Sequence, residues 1–528
     1  MANGIKRTMR YAELKARLAE ILNGGTVAEP PGAQPARAEP VAEMTVQTIW
    51  NEQLLFADRL RTCSKKPLRV IEPGRWNAEA GPDFLGADLE IGDRRVRGDV
   101  EIHVASGDWE KHRHHRDFEY NRVVLHAFLH RSDAVNFDSA HNGETIERIE
   151  LAPFINPDLD TVLKSLGAED CGREVGERLG RCHEAVTRVE TGFLRDFFRE
   201  AARERIEAKV ARFAVQADSE TPDEALYQAM LTAMGHKGGK TLFFLLAKRA
   251  PIGELKLFLA RTPGEELADA IEAVMLHVAN LATPASTPAQ GEPCDGPPLD
   301  DETQAYLDRM GKWWSALGGY YGDRSIPPTR RWFAGIRPAS FPSRRIAGVA
   351  RLLADLDFRR GILDELARRV GCAMARAPKS ARDFAREIRA LATMFEAEGE
   401  SYWSRRFTLG GKRTARPQHL IGGDRAAGLL FNALLPMLIL HARRCANAPL
   451  EDFVWRLVDH FPSLPENAVT RYMRHRLFGA KGCAALNFKL ERTNQALFHI
   501  FHDCCANNAR SCDDCTLYRR AEAERSTG

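Results

Sequence analysis

The sequence predicts an α+β chain, with a mixed sheet near the N-terminus, a large all-α domain after it, and a short cysteine-rich segment at the end. Three observations predict this. Val96, Gly98, Val100, Ile102 and Val104 alternate with Arg97, Asp99, Glu101 and His103, the period-two pattern of a half-buried strand. Helical periodicity dominates from Val162 to Arg520. Four cysteines, Cys504, Cys505, Cys512 and Cys515, fall within twelve residues. A chain of 528 residues with 44% hydrophobic content can bury more than one core. The expected divisions are 1–43, a helix and flexible linker; 44–160, an α/β domain; 161–490, a helical domain; and 491–528, the cysteine-rich segment.

Taken in order, Tyr11 to Leu22 has the spacing of an amphipathic helix, and Gly24 to Glu43, rich in Pro, Ala and Gly, reads as a linker. Met44 to Phe56 has helical apolar spacing and Leu68 to Ile71 reads as a strand. The run through Leu85, Ala87, Leu89 and Ile91 and the alternating run Val96 to Val104 read as two strands joined at Gly92-Asp93, where glycine takes positive φ at little cost. Asp108 to Tyr120 is polar and expected to be helical. Val123 to Leu129 reads as a buried strand and His130 to Asp160 as a loop-rich extension. Successive helices are expected over Phe193–Phe213, Glu224–Met234, Thr241–Ala247, Gly253–Leu259 and Leu267–Leu281.

The hairpin carries the chemistry. Pairing about Gly92-Asp93 sets Glu101 across from Phe84, beside Asp83, and projects Glu101 and His103 from one face. Two carboxylates meeting there repel unless a cation lies between them, and Mg²⁺ or Mn²⁺ takes such oxygen ligands. Strict alternation, however, puts Asp83 in phase with Leu85, Ala87, Leu89 and Ile91, the apolar side, so a bulge or a turn is required there. The plain alternative is that Asp83 caps a turn and that Glu101 and His103 belong to a solvated sheet face. Next in the chain, Asp108, His112, His114 and Asp117 form a polar run. His112 and His114, two apart, converge on one ion only if that segment is not helical. His126, within an apolar strand, reads as a core histidine with a satisfied hydrogen bond.

The order helix, three strands, helix, strand, with Asp83 and Glu101 at these positions, resembles the core of the PD-(D/E)xK nuclease superfamily. The resemblance implies a restriction-endonuclease-like core and metal-dependent phosphodiester cleavage. His103 stands where that motif has lysine, and Lys111 from the following segment is a candidate to reach in instead. The run Asn77, Ala80-Gly-Pro-Asp-Phe84, Gly98, Val100-Glu-Ile-His103, Ser106, Asp108-Trp109, His112, His114, Asp117, Tyr120 and Leu125-His126 is also similar to the bacterial domain-of-unknown-function 2851 family. Further matches are Arg337-Pro-Ala-Ser-Phe-Pro342 with Arg345, Tyr402-Trp403 and the C-terminal cysteines, so the likeness runs from about Met44 to Cys515. This second resemblance implies an architecture without an activity, and Asp99 and Ser340 each depart from the asparagine expected there.

The formal charge, 75 − 72 = +3, neither indicates nor excludes nucleic acid. Locally the balance differs: residues 301–420 hold 23 Lys+Arg against 13 Asp+Glu. Arg330, Arg331, Arg337, Arg344 and Arg345 lie there among aromatics, a composition that can neutralise phosphates and stack on bases. The alternative is buried ion pairs made by Arg337 and Arg345. Cys512-x-x-Cys515 with Cys504 or Cys505 offers the thiolate bite of a zinc or iron–sulfur site, and the two are not separable by spacing. Met1 to Asn23 is charged and amphipathic, unlike a signal peptide. Ala426 to Leu440, with Asn432 and Pro436, reads as a buried helix, and a cytoplasmic protein without a membrane span is expected. The expected function is a metal-dependent nuclease in which Asp83 and Glu101 hold Mg²⁺ or Mn²⁺ and His103 orients water. The alternative is a non-catalytic module binding nucleic acid or protein on the same fold, and a purely structural helical scaffold is a third possibility.

Overall fold

Residues 10–22, 43–53, 55–56, 59–77, 81–155, 179–235, 239–282, 299–326, 337–398, 401–480, 482–505 and 515 are described in the computed structural model. The linker expected before residue 43, and Arg330, Arg331 and Cys512, lie outside them. The protein is α+β, a mixed sheet followed by a helical region. Seven strands, β1 (Leu68–Glu72), β2 (Arg75–Trp76), β3 (Phe84–Ile91), β4 (Arg94–Ala105), β5 (Val123–His130), β6 (Phe137–Ser139) and β7 (Thr145–Glu150), form one sheet in the order β1-β3-β4-β5-β7-β6. β2 pairs with β3 off this path. β4–β5 and β5–β7 are parallel, and the other pairs are antiparallel.

β4 is central, and that changes the reading of its polar residues. From Gly98 to His103 every residue is buried, so both faces are covered rather than one solvated. The helix Glu43–Glu52, with Val46, Ile49 and Trp50 buried, packs against β4. The hairpin turn is as expected: Ile91 pairs with Arg94 and Gly92 takes φ +61°, the glycine position of a type II′ turn. The register holds from Ile91/Arg94 to Ala87/Gly98 and then slips, pairing Phe84 with Val100. Gly86, at φ +68°, lies in that bulge, and its N–H donates to Asp99 Oδ1 at 2.8 Å. The bulge removes the phase conflict at Asp83.

Two expectations are corrected here. The segment after β4 is not one helix. It is a single turn, Asp108–Lys111, then two 3₁₀ turns, His114–Arg116 and Phe118–Arg122, broken at Arg113, which sits at φ +61°. The stretch after β5 is not merely loop: β6 and β7 extend the sheet, with Ile146, Arg148 and Ile149 buried.

The chain divides into two units, Met1–Arg205 with Glu466–Phe488 and Thr493–Gly528, and Ile206–Pro465 with Lys489–Arg492. In the first, segments far apart in sequence meet: Tyr11 Oη donates to Asp503 Oδ2 at 2.8 Å, and Gly180 N–H to Arg476 O at 2.9 Å. The second is helical, and the expected helices Glu224–Met234, Thr241–Ala247, Gly253–Leu259 and Leu267–Leu281 are present there within three residues of their bounds, while the expected Phe193–Phe213 lies within a longer helix, Thr191–Ser219. Gly423–Arg444 is long and apolar enough to cross a membrane by composition, but 72% of its apolar window is buried within the protein, as in a core helix. It contains a π turn, Leu430–Leu434, ahead of Pro436, whose ring cannot donate the ordinary helical bond.

Candidate metal centre

Asp83 and Glu101 meet. The N–H of Asp83 donates to Glu101 Oε2 at 3.0 Å, and the N–H of Ile102 donates to Asp83 Oδ2 at 3.0 Å. The two acids thus clasp adjacent chain segments through backbone hydrogen bonds, and both are buried. Asn77 secures the turn that presents Asp83: its side chain donates to Pro82 O at 3.0 Å and its N–H to Asp83 O at 2.7 Å.

The other oxygen of Glu101 faces imidazoles. Oε1 lies 3.3 Å from His114 Nε2 and 3.5 Å from His103 Nε2. His103 Nε2 is also 3.1 Å from His112 Nδ1 and 3.3 Å from His114 Nε2. His103, His112 and His114 therefore offer three ring nitrogens within 4.8 Å of one another, the arrangement of a metal-ligating group. His103 and His114 are buried, whereas His112 is exposed and forms the solvent edge of the cluster.

The break at Arg113 makes this convergence possible. In a continuous helix residues two apart point about 200° from each other. The left-handed Arg113 instead folds His114 back beneath His112, at a backbone cost of about 1–3 kcal/mol. Behind His114 stand Tyr120, its ring centroid 3.9 Å away, and Trp109, at 5.3 Å. Trp109 is fixed in turn by an indole N–H bond to Ser139 O at 3.3 Å.

A buried chain continues from His103 away from solvent. His103 Nδ1 is 2.9 Å from His126 Nε2, and His126 Nδ1 is 2.6 Å from Asp138 Oδ2. Arg148 Nε lies 3.2 Å from that same oxygen, while its two terminal nitrogens reach the Asp133 carboxylate at 3.0 and 2.9 Å. Burial pushes the Asp133 pKa up, but the bonds from Arg148 and Ser106 outweigh it and bring the group down to about 2. His126 is the hydrogen-bonded core histidine expected. Its link to the cluster, together with Asp138 and Arg148, was missed because His130 to Asp160 offered no strand signal.

The remaining site residues fall elsewhere. Lys111 does not reach in: its side chain is 74% exposed and pairs with Asp108 Oδ1 at 3.3 Å. Asp108 caps the end of β4 by accepting from Ala105 N–H, and Asp117 caps the next turn by accepting from Glu119 N–H. Arg344 and Arg345 are corrected from phosphate binders to internal donors. Arg344 is 1% exposed and bonds the carbonyls of Trp403, Arg406 and His419. Arg345 bonds Met234 O, and burial with the neighbouring Arg425 lowers its pKa to about 9. The loop carbonyls needed donors, and the local arginine excess partly supplies them. Arg337 is exposed. Of the cysteines, Cys504 and Cys515 are buried, and the Cys504 thiol donates to Asp503 Oδ2 at 3.8 Å. The neighbouring Cys515, together with burial, raises the Cys504 pKa.

A family model described as a protein of unknown function, DUF2851, matches residues 43–466, which include the whole sheet and the histidine cluster. No curated protein and no solved structure matches the chain. With that match spanning most of its length, the chain belongs to the DUF2851 family.

Proposed function

We propose that the protein is a metal-dependent hydrolase of phosphodiester bonds in DNA or RNA, centred on Glu101 and the histidines around it. The observation that carries this reading is the position of Glu101 Oε1, within 3.5 Å of two imidazole nitrogens in a cluster whose third member, His112, is open to solvent. A divalent ion held there would lower the pKa of a bound water and polarise a phosphoryl oxygen. Glu101 is fixed through Oε2 by the Asp83 N–H, so Oε1 stays directed at the imidazoles to hold the ion or take the proton of the attacking water. Arg113 and Arg116, exposed beside His112, offer donors to a phosphate backbone at that edge, although Asp108, Glu110, Asp117 and Glu119 in the same stretch balance their charge. The burial of Cys504 and Cys515, two of the four C-terminal cysteines, supports a separate structural zinc or iron–sulfur site.

The test is cleavage of labelled single- and double-stranded DNA and of RNA by purified protein with Mg²⁺, Mn²⁺ or Zn²⁺. Glu101→Gln should reduce the rate by about 10²–10⁴-fold without loss of folding. Equal cleavage by an Asp83→Ala, Glu101→Ala double variant overturns the proposal. Salt-sensitive binding with no metal-dependent turnover would instead establish the non-catalytic alternative.

A further inference from the structure

The contacts around His103 Nε2 exceed what hydrogen bonding can supply. A ring nitrogen carries either one proton or one lone pair. Nε2 nevertheless faces His112 Nδ1 at 3.1 Å, His114 Nε2 at 3.3 Å and Glu101 Oε1 at 3.5 Å, and His114 Nε2 faces Glu101 Oε1 at 3.3 Å. Protons on His112 Nδ1 and His114 Nε2 would satisfy two of these contacts and leave the nitrogen pair His103–His114 facing each other without one. A cation among the three imidazoles satisfies the nitrogen–nitrogen contacts together, because every inward nitrogen then acts as a lone-pair donor, with Glu101 Oε1 beside His103 and His114. The two closest nitrogen separations, 3.1 and 3.3 Å, are near this geometry: ligands about 2.0–2.1 Å from a tetrahedral ion stand roughly 3.3–3.4 Å apart.

The chain behind His103 sets which of its nitrogens carries the proton. Asp138 accepts from His126 Nδ1–H at 2.6 Å, which leaves His126 Nε2 as an acceptor. That nitrogen takes the Nδ1–H of His103 at 2.9 Å, so His103 Nε2 presents its lone pair to the cluster. Asp138 is itself held by Arg148, which is locked onto Asp133. Three imidazoles suit zinc-like ions, whereas Mg²⁺ keeps its waters and takes oxygen ligands.

We infer that this centre selects an imidazole-binding transition ion of the Zn²⁺ class over Mg²⁺, and that His126 and Asp138 are positioning residues holding His103 as an Nε2 ligand. The inference rests on reading the cluster as a metal centre, and it stands or falls independently of the substrate.

Metal-stripped full-length protein is titrated with Zn²⁺, Co²⁺ and Mg²⁺, and binding is read by calorimetry and by the visible absorption of four-coordinate Co²⁺. One equivalent should bind with visible bands that vanish in His114→Ala; cobalt on the cysteines is distinguished by its near-ultraviolet thiolate charge-transfer absorption. Mg²⁺ should not displace it. Asp138→Asn, whose amide can present a donor to His126 and so reverse the sense of the chain, should weaken Co²⁺ binding about 10–100-fold at an unchanged melting temperature. His112→Ala, at the exposed edge where packing is not at stake, should weaken binding too. Stoichiometric displacement by Mg²⁺, an equivalent retained in His114→Ala, or wild-type affinity in Asp138→Asn or His112→Ala overturns the inference. Tight Zn²⁺ binding without any phosphodiester turnover supports it and removes only the hydrolase reading.

Discussion

Glu101 divides its work between two oxygens, one tied to the chain and one to the imidazoles, and its burial makes both obligatory. A buried carboxylate lacking either set of partners would bear a desolvation penalty of several kcal/mol. Arg344 shows the same economy with opposite charge. Its guanidinium bonds three carbonyls, of Trp403, Arg406 and His419, in a stretch without regular secondary-structure partners. Arg344→Met keeps the aliphatic stem and removes every donor. Each carbonyl left unsatisfied costs about 1–3 kcal/mol, so a total loss of about 3–5 kcal/mol is expected, with some relief where water enters. Urea denaturation measures that loss. Nucleic-acid affinity of the folded fraction, read by fluorescence anisotropy, should be unchanged. A tenfold weaker affinity with unchanged stability would restore Arg344 as a phosphate ligand.

Among the elements, the β3–β4 hairpin was the most legible, because its alternation and its Gly92-Asp93 turn are local signals. The pairing of Asp83 with Glu101 was legible too, with the need for a bulge apparent from the phase of Leu85 and Ala87. The place of that bulge depends on Asp99 bonding the Gly86 N–H, a contact across the hairpin that no local pattern reports. The burial of both faces of β4 was hidden for a similar reason: it follows from the central place of β4 between β3 and β5 and from the helix Glu43–Glu52 packed on it, while β7, which extends the sheet beyond β5, reads as the charged sequence Thr-Ile-Glu-Arg-Ile-Glu. Nor does arginine announce a left-handed conformation, so the turn that joins His112 to His114 was left as a condition. Gly98 tests the element directly. A Cβ added there would stand 2.4 Å from Val124 Cγ1 and 2.6 Å from Arg122 O, at the entry to β5. Gly98→Ala must therefore push β5 away or distort β4, at about 1–3 kcal/mol or more. Because β5 carries His126, the variant should lose metal affinity as well as stability. A stable Gly98→Ala protein with native metal binding would mean that the two strands do not approach this closely.

At the scale of the whole molecule, each unit draws on distant parts of the chain, and periodicity alone cannot assign such partners. Tyr402-Trp403 is an example, since its role appears only in the folded second unit. Glu272, on the helix Gly264–Val278, accepts bonds at Oε1 from Tyr306 Oη and from Trp403 Nε1, and Trp403 Nε1 also reaches Tyr306 Oη at 2.8 Å. All three side chains are buried in the helical core. Burial raises the Glu272 pKa from 4.5 to about 7, against the lowering effect of the Tyr306 and Trp403 bonds. The folded chain thus keeps a proton that the unfolded chain releases, and stability from this group is full below about pH 4.5 and lost as pH rises through about 7. A difference of 2.5 pKa units corresponds to about 3 kcal/mol. Glu272→Gln keeps a carbonyl oxygen for both donors and cannot ionise. It should match the wild type near pH 4.5 and exceed it by about that amount near pH 8, in urea midpoints taken across the range. Parallel pH profiles for the two proteins would show that Glu272 is ionised in the core and that the bonds from Tyr306 and Trp403, rather than burial, govern it.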